Sequence, residues 1–517
     1  MRKRLLFIVL AIVYQTSIHA WADIKLEAED ASHSKCDIAT DNKYSGKKAL
    51  KLTDVKAEIS FDITITQKGK YSLFIAGDGI GGEKVVNCVV NGNTNQFKLN
   101  SYTEVEVGAF FMSEGENTVK ITPNWTWFDI DYLRIDVKQD EIAFDIAPMP
   151  VDENATEAAC NMYTFLYNNF GKKTVSGMMT GDMTHANDNV TQHEDVMAVY
   201  KASGKIPALV GFDFGFSTGR TEDENWCKEY TKKAIALAKD TYRRGGFPAF
   251  TWHWHDPSRK TDSFRVDDST IRISQALNSD GSWNTSSELY QYLIHDIDII
   301  ADYFLELQDA GMACIFRPLH ESSGGWFWWG RDKIAADFVK LYQLIFIEMT
   351  QVKGVHNVLW VWNAGTDDYD WNPGDEYYDF VSADIYNNAL DYSSNSSTFD
   401  KLKTLTRGKK IIALSENGPL PDIDKQADEE AMWSWWMPWY QTWNGNFVDQ
   451  TSKAEWQKVM NDERVITLED LQSWSDIDRL NAPQVQQIIF DLNGHQLTQE
   501  PDHGLFIKNG IVKFNKK

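Results

Sequence analysis

From residue 24 to residue 137 apolar and polar residues alternate in short runs, as in Ala57–Ile65, Tyr71–Ile75, Val85–Val90 and Asn117–Ile121. A period of two marks strands with one buried face. Gly46, Gly69, Gly77, Gly79, the Asn91-Gly92 pair and Gly115 separate the runs and supply turn chemistry. Many short strands at close spacing predict a β-sandwich. From residue 153 the pattern changes. Short apolar runs now alternate with longer amphipathic stretches. The runs are Thr174–Met179, Ile206–Asp213, Phe247–Thr251 with Trp252, Ala313–Arg317, Val358–Trp362, Phe380–Tyr386, Lys410–Ser415 and Met432–Met437. Eight such βα units predict a (β/α)8 barrel of the TIM type. The polar stretch 259–287 falls between the third and fourth units and is expected to decorate the catalytic face.

The chain is expected to divide into a leader at 1–22, a sandwich at 23–140 and a Pro-containing linker at 141–152. A barrel at 153–478 and a short β tail at 479–517 follow, the tail being too small to count as a free-standing domain. A length of 517 residues suits two or three domains. The leader has a basic start, Met1-Arg-Lys-Arg4, an apolar run Leu5–Val13 and an Ala20-Trp-Ala22 cleavage site. It reads as a signal peptide, too short for a permanent membrane span. Export is therefore expected, to the periplasm, the cell surface or the medium.

A formal net charge of -24 argues against nucleic acid and anionic lipid as partners and favours a neutral ligand. The five cysteines form no C-x-x-C pair, which excludes the common zinc and redox motifs. A monomer is expected.

In a barrel, chemistry sits at the C-terminal ends of the strands. Those ends carry Trp252-His253-Trp254-His255-Asp256-Pro257, Arg317-Pro-Leu-His320-Glu321, Asn363, Asp384-Ile-Tyr386, Ser415-Glu416-Asn417-Gly418 and Trp439. Arg317 and Glu321 by themselves could form a structural ion pair over packed tryptophans. Glu416 changes that reading. It ends the seventh strand as Glu321 ends the fourth, so the two carboxyls can meet across the barrel mouth. Paired carboxyls are what glycosidic cleavage requires, about 5–5.5 Å apart in a retaining enzyme. Much of the unusual complement of 20 Trp falls at or just past strand ends, and about half of that group is expected to stack on sugar rings. Asp213, Asp384 and Arg317 are expected to support other site residues rather than touch substrate, and His255 has an equally good structural reading.

The block Arg317-Pro-Leu-His-Glu-Ser-Ser-Gly-Gly-Trp-Phe-Trp-Trp-Gly330 resembles the defining motif of glycoside hydrolase family 26, best known for endo-β-1,4-mannanases. The resemblance extends over roughly residues 150–475. It implies Glu321 as general acid/base and Glu416, in Leu-Ser-Glu-Asn-Gly, as nucleophile. It implies His253 and His320 at the cleaved sugar, Tyr386 bonded to the nucleophile, and Trp326 as the platform on the leaving-group side. Trp252 and Trp439 complete the implied substrate set. Asp256 stands where the family's Trp-His-x-x-Asn-Pro pattern has Asn. No cofactor is implied for catalysis.

The N-terminal segments Leu26-Glu-Ala-Glu-Asp30, Tyr44–Leu50 and Phe128-Asp-Ile-Asp-Tyr132 resemble carbohydrate-binding modules of family 35. That resemblance implies a structural calcium at Glu27, Glu29 and Asp131; a solvated acidic edge accounts for the same residues. Trp125 and Trp127 are readable as a sugar platform or as packing. The expected protein is a secreted retaining endo-glycosidase acting on β-mannan, galactomannan or glucomannan. A β-1,3-xylanase, a mixed-linkage β-glucanase and a non-catalytic surface glycan-binding protein are the alternatives.

Overall fold

A computed structural model describes residues 24–66, 68–124, 127–137, 142–183, 186–440 and 447–471. Beyond these it describes four short strands, Ile489–Phe490, Gln496–Leu497, His503–Lys508 and Ile511–Lys516, which pair antiparallel. The signal peptide, Trp125, part of the linker and most of the tail lie outside the described residues.

The N-terminal domain is a sandwich of two antiparallel sheets, one of six strands and one of five. Strand Phe128–Val137 lies inside the first sheet, between Lys48–Leu52 and Gly69–Asp78, and also carries Ile24–Glu27. The alternation seen in the sequence becomes the core: Ile59, Phe61, Ile63 and Ile65 turn inward against Leu73, Ile75, Val119 and Ile121. Residues of one parity are buried while their neighbours face water, which is why the period was readable.

The second domain is a closed parallel barrel. Its strands are β1 (Thr174–Met179), β2 (Leu209–Asp213), β3 (Phe247–Thr251), β4 (Cys314–Arg317), β5 (Val358–Asn363), β6 (Phe380–Ile385), β7 (Ile411–Asn417) and β8 (Trp435–Pro438). They pair in sequence order, and β1 closes the ring on β2 and β8. Two strands start three residues later than expected. β2 begins at Leu209 because Pro207, which lacks an N–H, forms only an isolated bridge with Thr467. β8 begins at Trp435; the preceding Trp433 is buried, with its Nε1 donating to the Ser394 carbonyl 2.8 Å away.

The domains are tied together by polar contacts. Lys70 of the sandwich pairs with Asp400 of the barrel at 2.9 Å, Asn93 donates to Glu429 at 3.0 Å, and Asn95 donates to Ser397 at 3.1 Å.

Candidate active site

Register places the site. Thr251 lies beside Arg317 across β3 and β4, and Asp384 lies beside Glu416 across β6 and β7. Each residue is the last or nearly the last of its strand, so all four stand at one end of the barrel. One carboxylate oxygen each from Glu321, Asp384 and Glu416 lies within 4.8 Å of the other two. Three carboxyls this close repel unless a cation joins them. Arg317 is that cation. Its Nη1 donates to Asp384 at 2.7 Å and its Nη2 to Glu416, and the arginine is almost fully buried. The planar fork serves two acceptors at once, which a lysine could not do in the same geometry.

Glu416 receives a second donor, the Tyr386 hydroxyl at 2.6 Å. Glu321 is held differently. It sits past the end of β4 in a left-handed backbone conformation, φ 52°, as does Leu319 at 51°. Such conformations are strained for residues with a Cβ and persist only where surroundings enforce them. Here Asn363, at the end of β5, accepts the Glu321 N–H at 2.7 Å and donates to Asp384 at 2.9 Å. Burial first, and then the Glu416 charge, push the Glu321 carboxyl above the usual glutamate range. One carboxyl is thus biased to hold a proton while its neighbour is bonded by two donors.

The Gly-Gly step of the motif has a steric origin. A Cβ on Gly324 would lie 2.2 Å from the Trp326 ring. With glycine there, the indole folds back and its Nε1 donates to Glu321 Oε2 at 2.8 Å, while 44% of Trp326 stays exposed.

The two histidines form a chain. Asp213 accepts from His253 Nδ1 at 2.6 Å and from its backbone N–H at 3.1 Å. His253 Nε2 then meets His320 Nε2 at 3.2 Å. Burial alone would depress His253, but Asp213 outweighs it and the imidazole titrates above its ordinary value. His320 is pushed well below its ordinary value, by burial and then by Arg317. His320 is 1% exposed, so His253 is the member of the pair nearer the opening.

Trp252 requires a correction. It is fully buried, stacked on Trp254 with ring centroids 4.0 Å apart and donating to Thr218 at 3.2 Å, so it supports the site from behind. The wider expectation for tryptophan falls with it. Ten of the largest fully buried side chains are Trp. Trp326 and Trp439 are the strand-end tryptophans that keep a substantial exposed face near the catalytic carboxyls among the described residues, with the Trp439 ring 5.9 Å from His253. Clustering at strand ends did not discriminate, because the loops of a barrel mouth also pack against one another. His255 is buried against Asp262 at 2.8 Å, in keeping with its structural reading. Asp256 is also buried and accepts from the Ser258 N–H at 2.8 Å, so the departure from Asn shapes a loop rather than lining the cleft.

Residues 151–470 match the model of Glycosyl hydrolase family 26. The chain belongs to that family. Residues 24–138 match the model of Carbohydrate binding module (family 35). A mannan endo-1,4-beta-mannosidase of Thermothelomyces thermophilus is 31% identical over 465 residues, 87% of this chain and 91% of that protein. Mannan endo-1,4-beta-mannosidase B of a Piromyces species is 29% identical, covering 81% of this chain and 71% of its own length. Among solved structures, a Podospora anserina GH26-CBM35 beta-(1,4)-mannanase superposes with a TM-score of 0.58 at 28% identity, over 87% of this chain and 99% of that one.

This family-26 glycoside hydrolase therefore carries its carboxyl pair at the strand ends where sequence placed it. Sequence reasoning missed Asn363 as the link between Glu321 and Asp384. Its position is legible in the sequence, as the first polar residue after the apolar run Val358–Trp362, at the end where barrel chemistry gathers, but its role is not.

Proposed function

We propose that this enzyme hydrolyses internal β-1,4-mannosidic bonds by double displacement. The observation that carries the reading is the approach of Glu321 and Glu416 within 4.8 Å, the closeness expected of a retaining pair. The names borne by its family-26 relatives supply the polysaccharide. Glu321, biased toward its protonated form, gives its proton to the leaving oxygen. Glu416, aimed by Arg317 and Tyr386, attacks the anomeric carbon and forms the glycosyl-enzyme ester. Glu321, now ionised, takes a proton from water, which attacks the same carbon and releases Glu416. Trp326 stacks under the departing sugar, and His253, His320 and Trp439 border the sugar that is retained.

The test is hydrolysis of mannan by Glu321→Ala and Glu416→Ala. Each should lose on the order of 10⁴-fold in rate while the far-UV spectrum and melting profile persist. Substantial activity in either variant would sink the assignment. Parallel assays on β-1,3-xylan and barley β-glucan separate the family alternatives.

The N-terminal module is proposed to bind polysaccharide and to hold calcium. The Glu27 Oε2 and Glu29 Oε2 atoms are buried without a hydrogen-bond partner, and orphaned hard oxygens suit Ca²⁺. Asp131 fits less directly: its oxygens accept the Ser45 N–H at 3.0 and 2.9 Å and the Tyr102 hydroxyl at 2.5 Å. Among the described residues, Glu27, Glu29 and Asp131 do not form a set of oxygens within 4.8 Å of one another. Glu27 and Glu29 are thus proposed as the ligands, with Asp131 positioning the Ser45 loop beside them. Export through the signal peptide, and action as a monomer, complete the proposal. No helix among the described residues is long and apolar enough to cross a membrane.

A further inference from the structure

A polar cleft lies between the sandwich and the barrel, with a volume of about 520 Å³. That is within the ordinary range of ligand sites, about 300–1,000 Å³. The barrel contributes Asp367 and Tyr369 from the loop after β5, and Ser397, Lys401 and Thr404 from helix Ser396–Leu405. These last three recur at helical spacing and so share one face. The sandwich contributes Glu106. We propose that this cleft is a second glycan-binding site, taking an uncharged, hydroxyl-rich stretch of the same polymer on the leaving-group side of the cut. It rests on the mannan reading above.

Three observations carry the inference. The first is chemistry. Carboxylates of Glu106 and Asp367, ammonium groups of Lys401 and Lys403 and hydroxyls of Ser397 and Thr404 line the same cleft, while the third carboxylate, Asp400, is paired with Lys70. The balance of charge disfavours an ionic ligand, and the mixture of donors and acceptors matches sugar hydroxyls. Tyr369, 58% exposed, adds an aromatic stacking face to a mostly polar lining.

The second is rigidity. Lys70 and Asp400 brace the cleft with an ion pair whose side chains are 8% and 4% exposed. At Gly108 a Cβ would come within 2.5 Å of Ser397 Oγ, so the absence of a side chain there lets the two domains approach. A cleft with fixed walls loses little freedom when a ligand enters.

The third is continuity with the reaction. The loop carrying Asp367 and Tyr369 starts just past Asn363, which accepts the Glu321 N–H. Asp368 anchors that loop, accepting the Gly365 N–H at 2.6 Å and a hydrogen bond from Ser323, close after Glu321. One loop therefore joins a wall of the cleft to residues beside Glu321, on the acid/base side that meets the departing chain.

The experiment uses the full chain and compares polymeric mannan with the short substrate mannotetraose. Tyr369→Ala should raise KM for the polymer about fivefold, the scale of one lost stacking contact, and leave kcat/KM on mannotetraose within about twofold. Thr404→Trp, which fills the cleft, should reproduce that pattern. Equal losses on both substrates, or no loss on either, would overturn the site. A parent enzyme inert on mannan would overturn the substrate reading and this inference together. An active parent with unchanged variants overturns this inference alone.

Discussion

The barrel mouth and the edge of the sandwich both gather carboxylates, but they neutralise them in opposite ways. At the mouth, Glu321, Asp384 and Glu416 enclose an internal cation, Arg317, which is bonded to two of them. At the sandwich edge, Glu27 and Glu29 each keep a buried oxygen with no partner, although Lys25 lies 3.0 Å from the other Glu27 oxygen. A guanidinium is part of the chain and cannot leave, so the mouth is set before substrate arrives. An edge that leaves oxygens unpaired has acceptors to offer a cation from solution. The same residue type thus serves preorganised catalysis in one domain and, in the calcium proposal, ion-dependent stability in the other.

The contrast is most exposed at Arg317. Arg317→Met leaves buried carboxylates without their cation and should destabilise the barrel by about 3–5 kcal/mol, read as a lower barrel melting transition, with mannan hydrolysis lost as well. A barrel of unchanged stability would mean that the mouth does not depend on its internal charge. At the sandwich edge, calcium at about one hundred times its Kd should stabilise the module by about 2.7 kcal/mol over the chelated protein. Glu27→Gln should abolish the response while leaving the barrel transition in place. If chelator and calcium give the same melting curve, the edge is merely solvated.

Smaller effects separate the members of the mouth. Glu321 is raised by burial and then by the Glu416 charge. It works as an acid only while protonated, so activity should hold on the acid side and fall as pH rises through its elevated pKa. Glu416→Gln removes the negative charge and should move the Glu321 midpoint down toward the ordinary glutamate value, followed by carboxyl NMR. No move would show that burial alone sets it, and an upward move would show that the Glu416 charge does not raise it. Asp213→Asn removes the charge that opposes burial at His253. The His253 midpoint should drop below its ordinary value and kcat/KM should fall about tenfold; an unmoved midpoint would show that Asp213 has no hold on the ring.

Much of this was open to reading because periodicity and position obey simple geometry. Alternation exposed the sandwich, and the spacing of short apolar runs exposed the barrel. The strand-end rule then led to Glu321 and Glu416. It failed for Trp252 because an aromatic residue at a strand end is equally at home in the packing beneath a loop. It named Asn363 but gave it no role, because its importance lies in what its two ends touch, Glu321 N–H on one side and Asp384 on the other.

The sequence by itself determined the order of strands, the placement of carboxyls at their ends and the family pattern of the Arg317–Gly330 block, because those depend on local period and residue identity. Tertiary structure alone decided the rest. It set which carboxyls share one arginine, which tryptophans are left uncovered, and that the two domains enclose a polar cleft beside the acid/base loop. These outcomes depend on register and domain packing, which bring together residues far apart in the chain, and no local pattern records such distances.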